Sequence, residues 1–209
     1  DLIAVSDLHG NIEAYKKLLS LSSTIQPEII VLAGDLTSHN LISHESEYVI
    51  KSILYQMKIP VLFVMGNDDK AQWKTEHNCI DINQKTYTVS TYSFVGYQYA
   101  NPFTGGPFEK RESEQESDLI RLSPKIDDRT VLITHSPCYG IQDKTGTNKN
   151  VGSRVLGKYC KKNKPLYHIF GHVHESHGKF ANHFNISYPQ SKSALYLNLS
   201  NDNWRFIRL

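Results

Sequence analysis

The sequence is poor in cysteine, in long apolar runs and in net charge, and each shortage excludes a class of protein. It contains three cysteines in 209 residues, and an odd number without paired spacing argues against a disulfide framework. No apolar run approaches the roughly 20 residues that a membrane-spanning helix needs. The formal charge of +2 at pH 7 is too small to indicate a nucleic-acid or membrane surface. We therefore expect a cytoplasmic protein with no membrane partner and no sign of nucleic-acid binding.

What the chain does contain is a succession of short apolar segments, each typical of a buried strand. Strands and amphipathic helices alternate in the first third of the chain, which is the order of a parallel α/β sheet. A polar middle follows, and strands and helices alternate again after it. The predicted strands are 2–5, 29–32, 61–65, 86–89, 93–95, 131–134, 166–170, 194–199 and 204–209, and the predicted helices are 11–20, 45–57, 112–122 and 151–161. No linker or repeat interrupts this order, so we expect one α/β domain over residues 1–209.

Side chains with metal-ligand chemistry follow five of the predicted strands. Loops that follow the strands of an open α/β sheet meet at one edge, so residues distant in sequence can share a site. Oxygen and imidazole donors without a thiolate suit a pair of borderline or hard divalent cations. The candidates are Asp7 and His9 in "SDLHGN", Asp35 in "LAGDLT", Asn67 in "MGNDD", His135 in "THSPCYG", and His172 and His174 in "FGHVHE".

Most of these motifs, taken alone, also have a purely structural explanation. Asp7 can cap the helix that follows it, and Asp35 and Asn67 are residue types common in turns. A lone histidine at a strand end, such as His135, is more often a hydrogen-bonded core residue than a ligand. Single motifs therefore leave both interpretations open.

Two of the motifs are pairs at positions i and i+2. In extended backbone, the side chains of such a pair point to one side, so both can reach one cation. This geometry is expected for Asp7 with His9 and for His172 with His174. Two imidazoles at one strand end have few structural reasons to be there, and the second pair therefore favours metal binding.

In this order, the five motifs resemble the calcineurin-like metallophosphoesterase superfamily, whose pattern is D-x-H, G-D, G-N-[H/D/C], a histidine and G-H-x-H. The match covers essentially the whole chain. The segments "NPFTGGPFEKRESEQE", "THSPCYGIQDK", "NVGSRVLGKY" and "GHVHESHGKF" are also similar to small prokaryotic, largely archaeal, Icc-related predicted phosphoesterases. The resemblance implies a four-layer α/β/β/α sandwich of two mixed β-sheets flanked by helices.

The resemblance also implies two divalent cations, Mn, Fe, Zn or Ni, of which Mn is the first expectation, and a bridging hydroxide that attacks phosphorus. Each motif residue receives a role from the superfamily's pattern. One cation would be held by Asp7, His9 and His174, the other by Asn67, His135 and His172, and Asp35 would bridge them. The expected catalytic residues are Asp35, Asn67, Asp68 and His135, and the expected substrate-binding residues are Asn67 and Arg154.

Three positions depart from the patterns of this superfamily. Many members carry histidine where Asp68 stands, and an unperturbed carboxylate is a poor acid at pH 7. Good leaving groups, or protonation by water or by another histidine such as His39, are then favoured. Ser38 replaces the tyrosine of purple acid phosphatases, so no ferric-tyrosinate site is expected. Asn185 is the remnant of an "NPG"-type motif, and its role is in doubt.

Residues near the motifs leave further alternatives open. Arg154 and the helix start beside it could bind substrate phosphate, although a surface ion pair is an equal explanation for Arg154. His168 lies mid-strand and is predicted to be structural. His177 could line the pocket, but a solvated surface histidine is the preferred interpretation.

Together, these features predict a metal-dependent hydrolase that acts on a phosphoester substrate. A phosphodiesterase is favoured over a phosphomonoesterase. The alternatives are a phosphomonoesterase and a binding scaffold of the same fold, which the retromer's small subunit exemplifies. A DNA nuclease is disfavoured because the chain has neither room for a capping domain nor a basic patch. Short members of the superfamily often pair, so a homodimer is possible.

Overall fold

The computed structural model describes residues 1–38 and 44–209, apart from the side chains of residues 44 and 45. His39, named above as a proton donor, lies outside the described residues. The described helices are α1 (Ile12–Ile25), α2 (His44–Tyr55), α3 (Glu112–Leu122), α4 (Arg154–Asn163) and α5 (Tyr188–Ser191). The described strands are β1 (Leu2–Val5), β2 (Ile29–Ala33), β3 (Val61–Val64), β4 (Cys79–Asp81), β5 (Thr86–Val89), β6 (Tyr92–Tyr97), β7 (Thr130–Thr134), β8 (Tyr167–Phe170), β9 (Gly178–Phe180), β10 (His183–Asn185), β11 (Ser193–Asn198) and β12 (Asn203–Arg208).

The strands form two mixed sheets of six strands each. The first has the order β12-β11-β1-β2-β3-β4, in which β1 to β4 are parallel to one another and β11 and β12 are antiparallel additions. The second has the order β5-β6-β7-β8-β10-β9, with parallel pairing from β6 to β10 and antiparallel strands at both edges. This mixture confirms the predicted sheet architecture.

Three apolar layers hold four layers of secondary structure together. The alternation along β1 shows the principle, because Leu2 and Ala4 face the second sheet while Ile3 and Val5 face α1 and α2. On the far side of the second sheet, Leu132 packs with α3 and α4. The predicted α/β/β/α sandwich is therefore the observed fold. No helix in the described ranges reaches the length and apolarity that crossing a membrane requires.

Element boundaries differ from the prediction where side chains bond to the backbone. Helix α1 continues past residue 20 to Ile25 and ends at Gln26, whose backbone is left-handed; within it, the hydroxyls of Ser22, Ser23 and Thr24 donate to helix carbonyls. Helix α4 begins later than predicted, at Arg154, because Ser153 Oγ accepts a hydrogen bond from the Leu156 amide. Strands β4, β9 and β10 were not predicted, since three residues are too few to show a period.

Candidate metal centre

The loops that follow β1, β2, β3, β7 and β8 converge at one edge of the sandwich and bring the predicted ligands together. The ligand atoms of Asp7, His9 and His174 lie within 4.8 Å of one another. Within this group, His174 Nε2 is 3.5 Å from Asp7 Oδ1 and 3.3 Å from His9 Nε2. These three residues are the ones that the resemblance assigns to the first cation.

A second group forms around His135. Its Nε2 atom lies 2.9 Å from Asn67 Oδ1 and 3.4 Å from Asp35 Oδ1. The ring of His172 stands edge-on to that of His135, with the ring centroids 5.0 Å apart. The ligand atoms of Asp7, Asp35 and His135 also lie within 4.8 Å of one another, so the two groups adjoin.

Asp35 lies between the two groups. Its Oδ1 atom faces His135 Nε2, and its Oδ2 atom is 3.8 Å from His9 Nε2. The Asp68 amide donates to Asp35 Oδ1 at 2.8 Å and fixes the orientation of the carboxylate. A carboxylate with one oxygen turned toward each group is placed as a bridging ligand would be.

Hydrogen bonds orient the imidazoles so that their lone pairs face the centre. A carbonyl or carboxylate oxygen can only accept, so His135 Nδ1 donates to Ala33 O at 3.0 Å and His9 Nδ1 donates to Asp68 Oδ2 at 3.0 Å. In the neutral rings, both Nε2 atoms then present lone pairs to other acceptors. These Nε2 lone pairs face other acceptor atoms with no proton between them, and a bound cation would satisfy both sides of such a contact.

The charge of the centre supports the same conclusion. The carboxyl groups of Asp7, Asp35 and Asp69 are almost fully buried, and no lysine or arginine in the described part of the chain lies within 4.0 Å of them. Burial and the neighbouring Asp7 and Asp69 raise the pKa of Asp35 well above its usual range. Burial opposes ionisation of Asp7 too, but the His174 hydrogen bond and nearby histidines hold its pKa below the usual range. Buried carboxylates are normally paired or bound to metals, so the donor set fits divalent cations.

The backbone at the centre differs from the extended conformation that we expected. Asp7, His9, Asp35 and His172 have φ angles of 58°, 46°, 50° and 72°, in the left-handed region that non-glycine residues rarely adopt. The idea that Asp7 and His9 share one side of an extended strand end was therefore wrong. His172 and His174 likewise separate, one toward each group. Such strained positions cluster at functional sites, where the surrounding structure holds them.

Three motif glycines make room for the ligands. A Cβ atom on Gly34 would collide with the ring of His135, and one on Gly66 would collide with the carboxylate of Asp35. A Cβ atom on Gly171 would collide with Asp7 Oδ2 and with Ser6 Oγ. The glycine before each ligand is thus required by close approach, which explains the G-D, G-N and G-H pairs.

Two residues outside the seven ligands support the centre: Asp69, which the motifs did not single out, and Asn185. Asp69 accepts hydrogen bonds from the amides of Gly66, Leu36 and Thr37, and so ties the loop after β2 to the loop after β3. Asn185, whose role was in doubt, donates to Val173 O at 2.9 Å and holds the loop between His172 and His174. The one available signal for Asp69 was its place in "MGNDD", next to two residues already assigned roles.

We expect Asp68 to position His9, because its Oδ2 atom accepts a hydrogen bond from His9 Nδ1 at 3.0 Å. We expect Asp68→Asn to weaken Mn²⁺ binding about 10- to 100-fold, the usual effect of removing a partner that orients a metal-binding histidine. Isothermal titration of metal-free protein with Mn²⁺ measures the change. Asp128→Asn, at an exposed position, serves as the control, and equal affinities for the two variants would contradict the role.

Metal removal gives a second prediction for the centre. A ligand present at 1,000 times its Kd stabilises a fold by about 4 kcal/mol, which corresponds to roughly 10 °C in a domain of this size. Chelation should therefore lower the Tm by roughly that amount, and added Mn²⁺ should restore it. Scanning calorimetry of chelated and reloaded protein tests this, and an unchanged Tm after verified metal loss would contradict it.

A cleft of about 720 Å³ opens beside the centre at His172. The guanidinium of Arg154 lies at its edge, 3.6 Å above the ring of Tyr139, and forms no ion pair with any described residue. The α4 N-terminus, considered above as one possible phosphate site, is already occupied, because the Glu112 carboxylate accepts from the Arg154 and Val155 amides at 2.7 and 2.8 Å. Arg154 itself thus remains a candidate for substrate contact.

Two further histidines have structural contacts. His168 is fully buried and bonded to Thr134, in agreement with its predicted structural role. The interpretation of His177 as a solvated surface residue was wrong. It is half-buried, its Nε2 atom lies 3.2 Å from Ser193 Oγ, and its ring packs on Phe206.

Two mixed sheets between helices, with carboxylate, amide and imidazole groups gathered at their strand ends, are typical of metal-dependent phosphoesterases. The family model of the calcineurin-like phosphoesterases matches residues 2–176, and the chain belongs to this family. The resemblance drawn from the motifs is thereby confirmed.

Curated relatives match the chain over about half of its length. The UPF0046 protein K07C11.7 of Caenorhabditis elegans is 38% identical over 105 residues, which cover 50% of this chain and 35% of that protein. Human metallophosphoesterase domain-containing protein 1 is 29% identical over 106 residues, which cover 50% of this chain and 32% of that protein. The matched region is therefore about a third of either relative.

Solved structures match the fold over nearly the whole chain. TT1561 of Thermus thermophilus has a TM-score of 0.77 and 16% identity, covering 99% of this chain and 97% of that chain. A dimetal phosphatase from Danio rerio has a TM-score of 0.63 and 10% identity, covering 94% of this chain and 92% of that chain. At these identities, the likeness establishes the fold alone.

Proposed function

We propose that this protein hydrolyses a phosphoester at a dinuclear centre built from the seven clustered residues. The observation that carries the proposal is Asp35, whose two carboxylate oxygens face two separate groups of ligands. Asp7, His9 and His174 would hold one cation, and Asn67, His135 and His172 the other. Two divalent cations, when bound, supply an activated water for attack on phosphorus and stabilise the charge that develops on the phosphoryl oxygens.

The chain's own residues prepare the site for this chemistry. Asp68 and the Ala33 carbonyl keep the His9 and His135 rings in the tautomers that expose Nε2. Burial next to His135 lowers the pKa of His172 to about 3, so this ring stays neutral and free to act as a ligand. Asn67 combines a neutral oxygen donor with an amide that can donate to a substrate oxygen. We expect Mn²⁺ to be the first cation to test.

The proposed substrate is a phosphodiester rather than a phosphomonoester. The residues of the cleft beside His172 include the carboxylates of Glu112 and Glu175, while Arg154 is the one lysine or arginine among those described there. Such a balance disfavours the double negative charge of a monoester and tolerates the single charge of a diester. A volume of about 720 Å³ also leaves room for a second ester group.

Protonation of the leaving group follows from the contacts of Asp68. Its Oδ2 atom accepts a hydrogen bond from His9, and we propose that Asp68 orients this ligand instead of acting as a general acid. Water is therefore the proposed proton source, and turnover should depend strongly on the acidity of the leaving group. Diesters with acidic leaving groups are the substrates of choice for a first assay.

The assay compares bis-p-nitrophenyl phosphate with p-nitrophenyl phosphate in the presence of Mn²⁺. Metal-dependent release of nitrophenol, faster from the diester, is the expected result. Faster cleavage of the monoester would overturn the diester preference but keep the hydrolase. No turnover of either compound by protein that has bound Mn²⁺ would favour a binding scaffold of the same fold.

Arg154 is proposed to hold a substrate oxygen at the mouth of the cleft. We expect Arg154→Ala to raise the KM for bis-p-nitrophenyl phosphate about tenfold, since a hydrogen bond to a charged group contributes about 1.5–3 kcal/mol, while kcat changes little. Steady-state kinetics measure both constants. Arg129→Ala, at the exposed position just before β7 and at the opposite end of the strand from His135, is the control, and an unchanged KM for Arg154→Ala would exclude the contact.

Three further properties are proposed. The three cysteines are all free thiols, which suits a reducing compartment such as the cytoplasm. Residues 1–209 are proposed to act as one catalytic domain, because both sheets contribute to the centre. Homodimerisation, expected from short members of the superfamily, can be tested by light scattering.

A further inference from the structure

A second group of metal-ligand side chains lies behind the centre, on the face of the second sheet that packs against α4. The ligand atoms of Cys138, His168 and His183 lie within 4.8 Å of one another. Cys138 Sγ is 3.7 Å from His168 Nδ1, which is 2.9 Å from His183 Nδ1. None of these residues belongs to the seven proposed ligands of the dinuclear centre.

The hydrogen bonds of His168 leave its Nδ1 atom available as a donor to a metal. The hydroxyl of Thr134 donates its single proton to Ser136 O at 2.6 Å. It must then accept from His168 Nε2, which lies 2.8 Å away. In the neutral ring, Nδ1 therefore carries a lone pair that points toward Cys138 and His183, and an oriented ring of this kind is usual in metal sites.

The donor types suit a thiolate-preferring cation held by three side chains. Bonds of about 2.3 Å to sulfur and 2.0–2.1 Å to nitrogen separate neighbouring ligand atoms by roughly 3.3–3.8 Å, so the Cys138–His168 distance already fits and the two histidine nitrogens must move apart by about 0.4 Å. Cys160 Sγ lies 3.5 Å from Cys138 Sγ but is not one of the three residues whose ligand atoms cluster within 4.8 Å. A cleft of about 790 Å³, lined in part by Cys160 and His183, gives access from the surface.

We infer that Cys138, His168 and His183 bind one thiolate-preferring divalent cation, such as Zn²⁺, with water in the fourth position. Cysteine and histidine are the side chains that zinc prefers, whereas the dinuclear centre offers oxygen and nitrogen donors. Cys138 follows the proposed ligand His135 by three residues, and His168 precedes His172 by four. A cation here would brace the two strands that carry these ligands into the dinuclear centre.

Cobalt provides a probe that reports on this site alone, because a thiolate bound to Co²⁺ absorbs in the near ultraviolet and the dinuclear centre contains no thiolate. Reduced, metal-free protein is titrated with Co²⁺. We expect the thiolate band to reach the intensity of one thiolate-bound Co²⁺ per chain once all sites are filled, and to disappear on addition of Zn²⁺. Cys138→Ser should abolish the band, and His183→Asn, which removes a ligand near the surface, should weaken Co²⁺ binding at least tenfold.

Two controls separate this inference from the proposed function. Cys79→Ser makes the same change at another buried cysteine and should leave the band intact. Asp35→Asn should lose hydrolysis yet keep the band. Absence of the band in wild-type protein that binds Co²⁺, or a band that survives in a folded Cys138→Ser variant, would overturn the inference and leave a cluster held by hydrogen bonds alone. Circular dichroism of each variant verifies folding.

Discussion

Asp35→Asn is expected to lower metal-dependent hydrolysis of bis-p-nitrophenyl phosphate well beyond 100-fold. Changes to residues that merely orient a metal ligand typically cost about 10- to 100-fold, and Asp35 is proposed to be a ligand itself, shared by both cations. The amide keeps the shape of the side chain but removes the charge and one acceptor oxygen. The measurement is kcat/KM at saturating Mn²⁺, together with the number of Mn²⁺ ions bound.

Asp128→Asn is the matched control, since it makes the same substitution at an exposed position away from the centre. It should retain wild-type activity and metal content. If Asp35→Asn kept more than a tenth of wild-type kcat/KM while both metal sites were occupied, Asp35 would not be the bridging residue and the proposed site would need another centre.

Gly171→Ala is expected to lower activity about 100-fold without unfolding the protein. The added methyl group would overlap the Asp7 carboxylate and the Ser6 hydroxyl, so Asp7 must move. A displacement of about 1 Å at a reacting centre can cost about 100-fold in rate, and overpacking costs about 1–3 kcal/mol in stability. Kinetics at saturating Mn²⁺ and the Tm of the metal-free protein measure the two effects separately.

Gly157→Ala serves as the matched control within α4. A Cβ atom there would meet Cys138 Cβ at 3.8 Å, which is an ordinary contact, and alanine favours the helix. This variant should keep full activity and gain stability slightly. Equal activities of Gly171→Ala and Gly157→Ala would show that the close approach of Gly171 to Asp7 has no functional importance.

The fold and the clustered residues could be predicted from the sequence because the same local pattern, a short apolar strand followed by a polar residue, occurs several times along the chain. Apolar runs of four or five residues mark β1, β2, β3, β7 and β8, and each is followed by the polar residue that the sheet delivers to its edge. A glycine precedes Asp35, Asn67 and His172, and the structure shows that it makes room for a ligand in each loop. At these positions, the placement after a strand and the type of side chain both indicate a metal ligand, so the centre could be predicted from the sequence.

The supporting hydrogen bonds, the left-handed backbone positions and the covered start of α4 could not be predicted, because they depend on contacts between loops that a single sequence does not show. The bond from Asp68 to His9 joins residues that are 59 positions apart, and Asp69 bonds to Thr37 across 32 positions. The left-handed backbone of Asp7 could not be read from residue type, because tertiary packing imposes it. Glu112 covers the start of α4 for a similar reason, since it reaches there from 42 positions away.

Two divalent cations are proposed to lie at the cluster of seven residues, with Asp35 between them. Crystals of Mn²⁺-loaded protein, measured at a wavelength where manganese scatters anomalously, test it most directly. We expect two anomalous peaks at the cluster, one contacted by Asp7, His9 and His174 and the other by Asn67, His135 and His172, with a carboxylate oxygen of Asp35 on each. A single peak, or no peak among these residues in protein that binds Mn²⁺ in solution, would rule out the dinuclear centre.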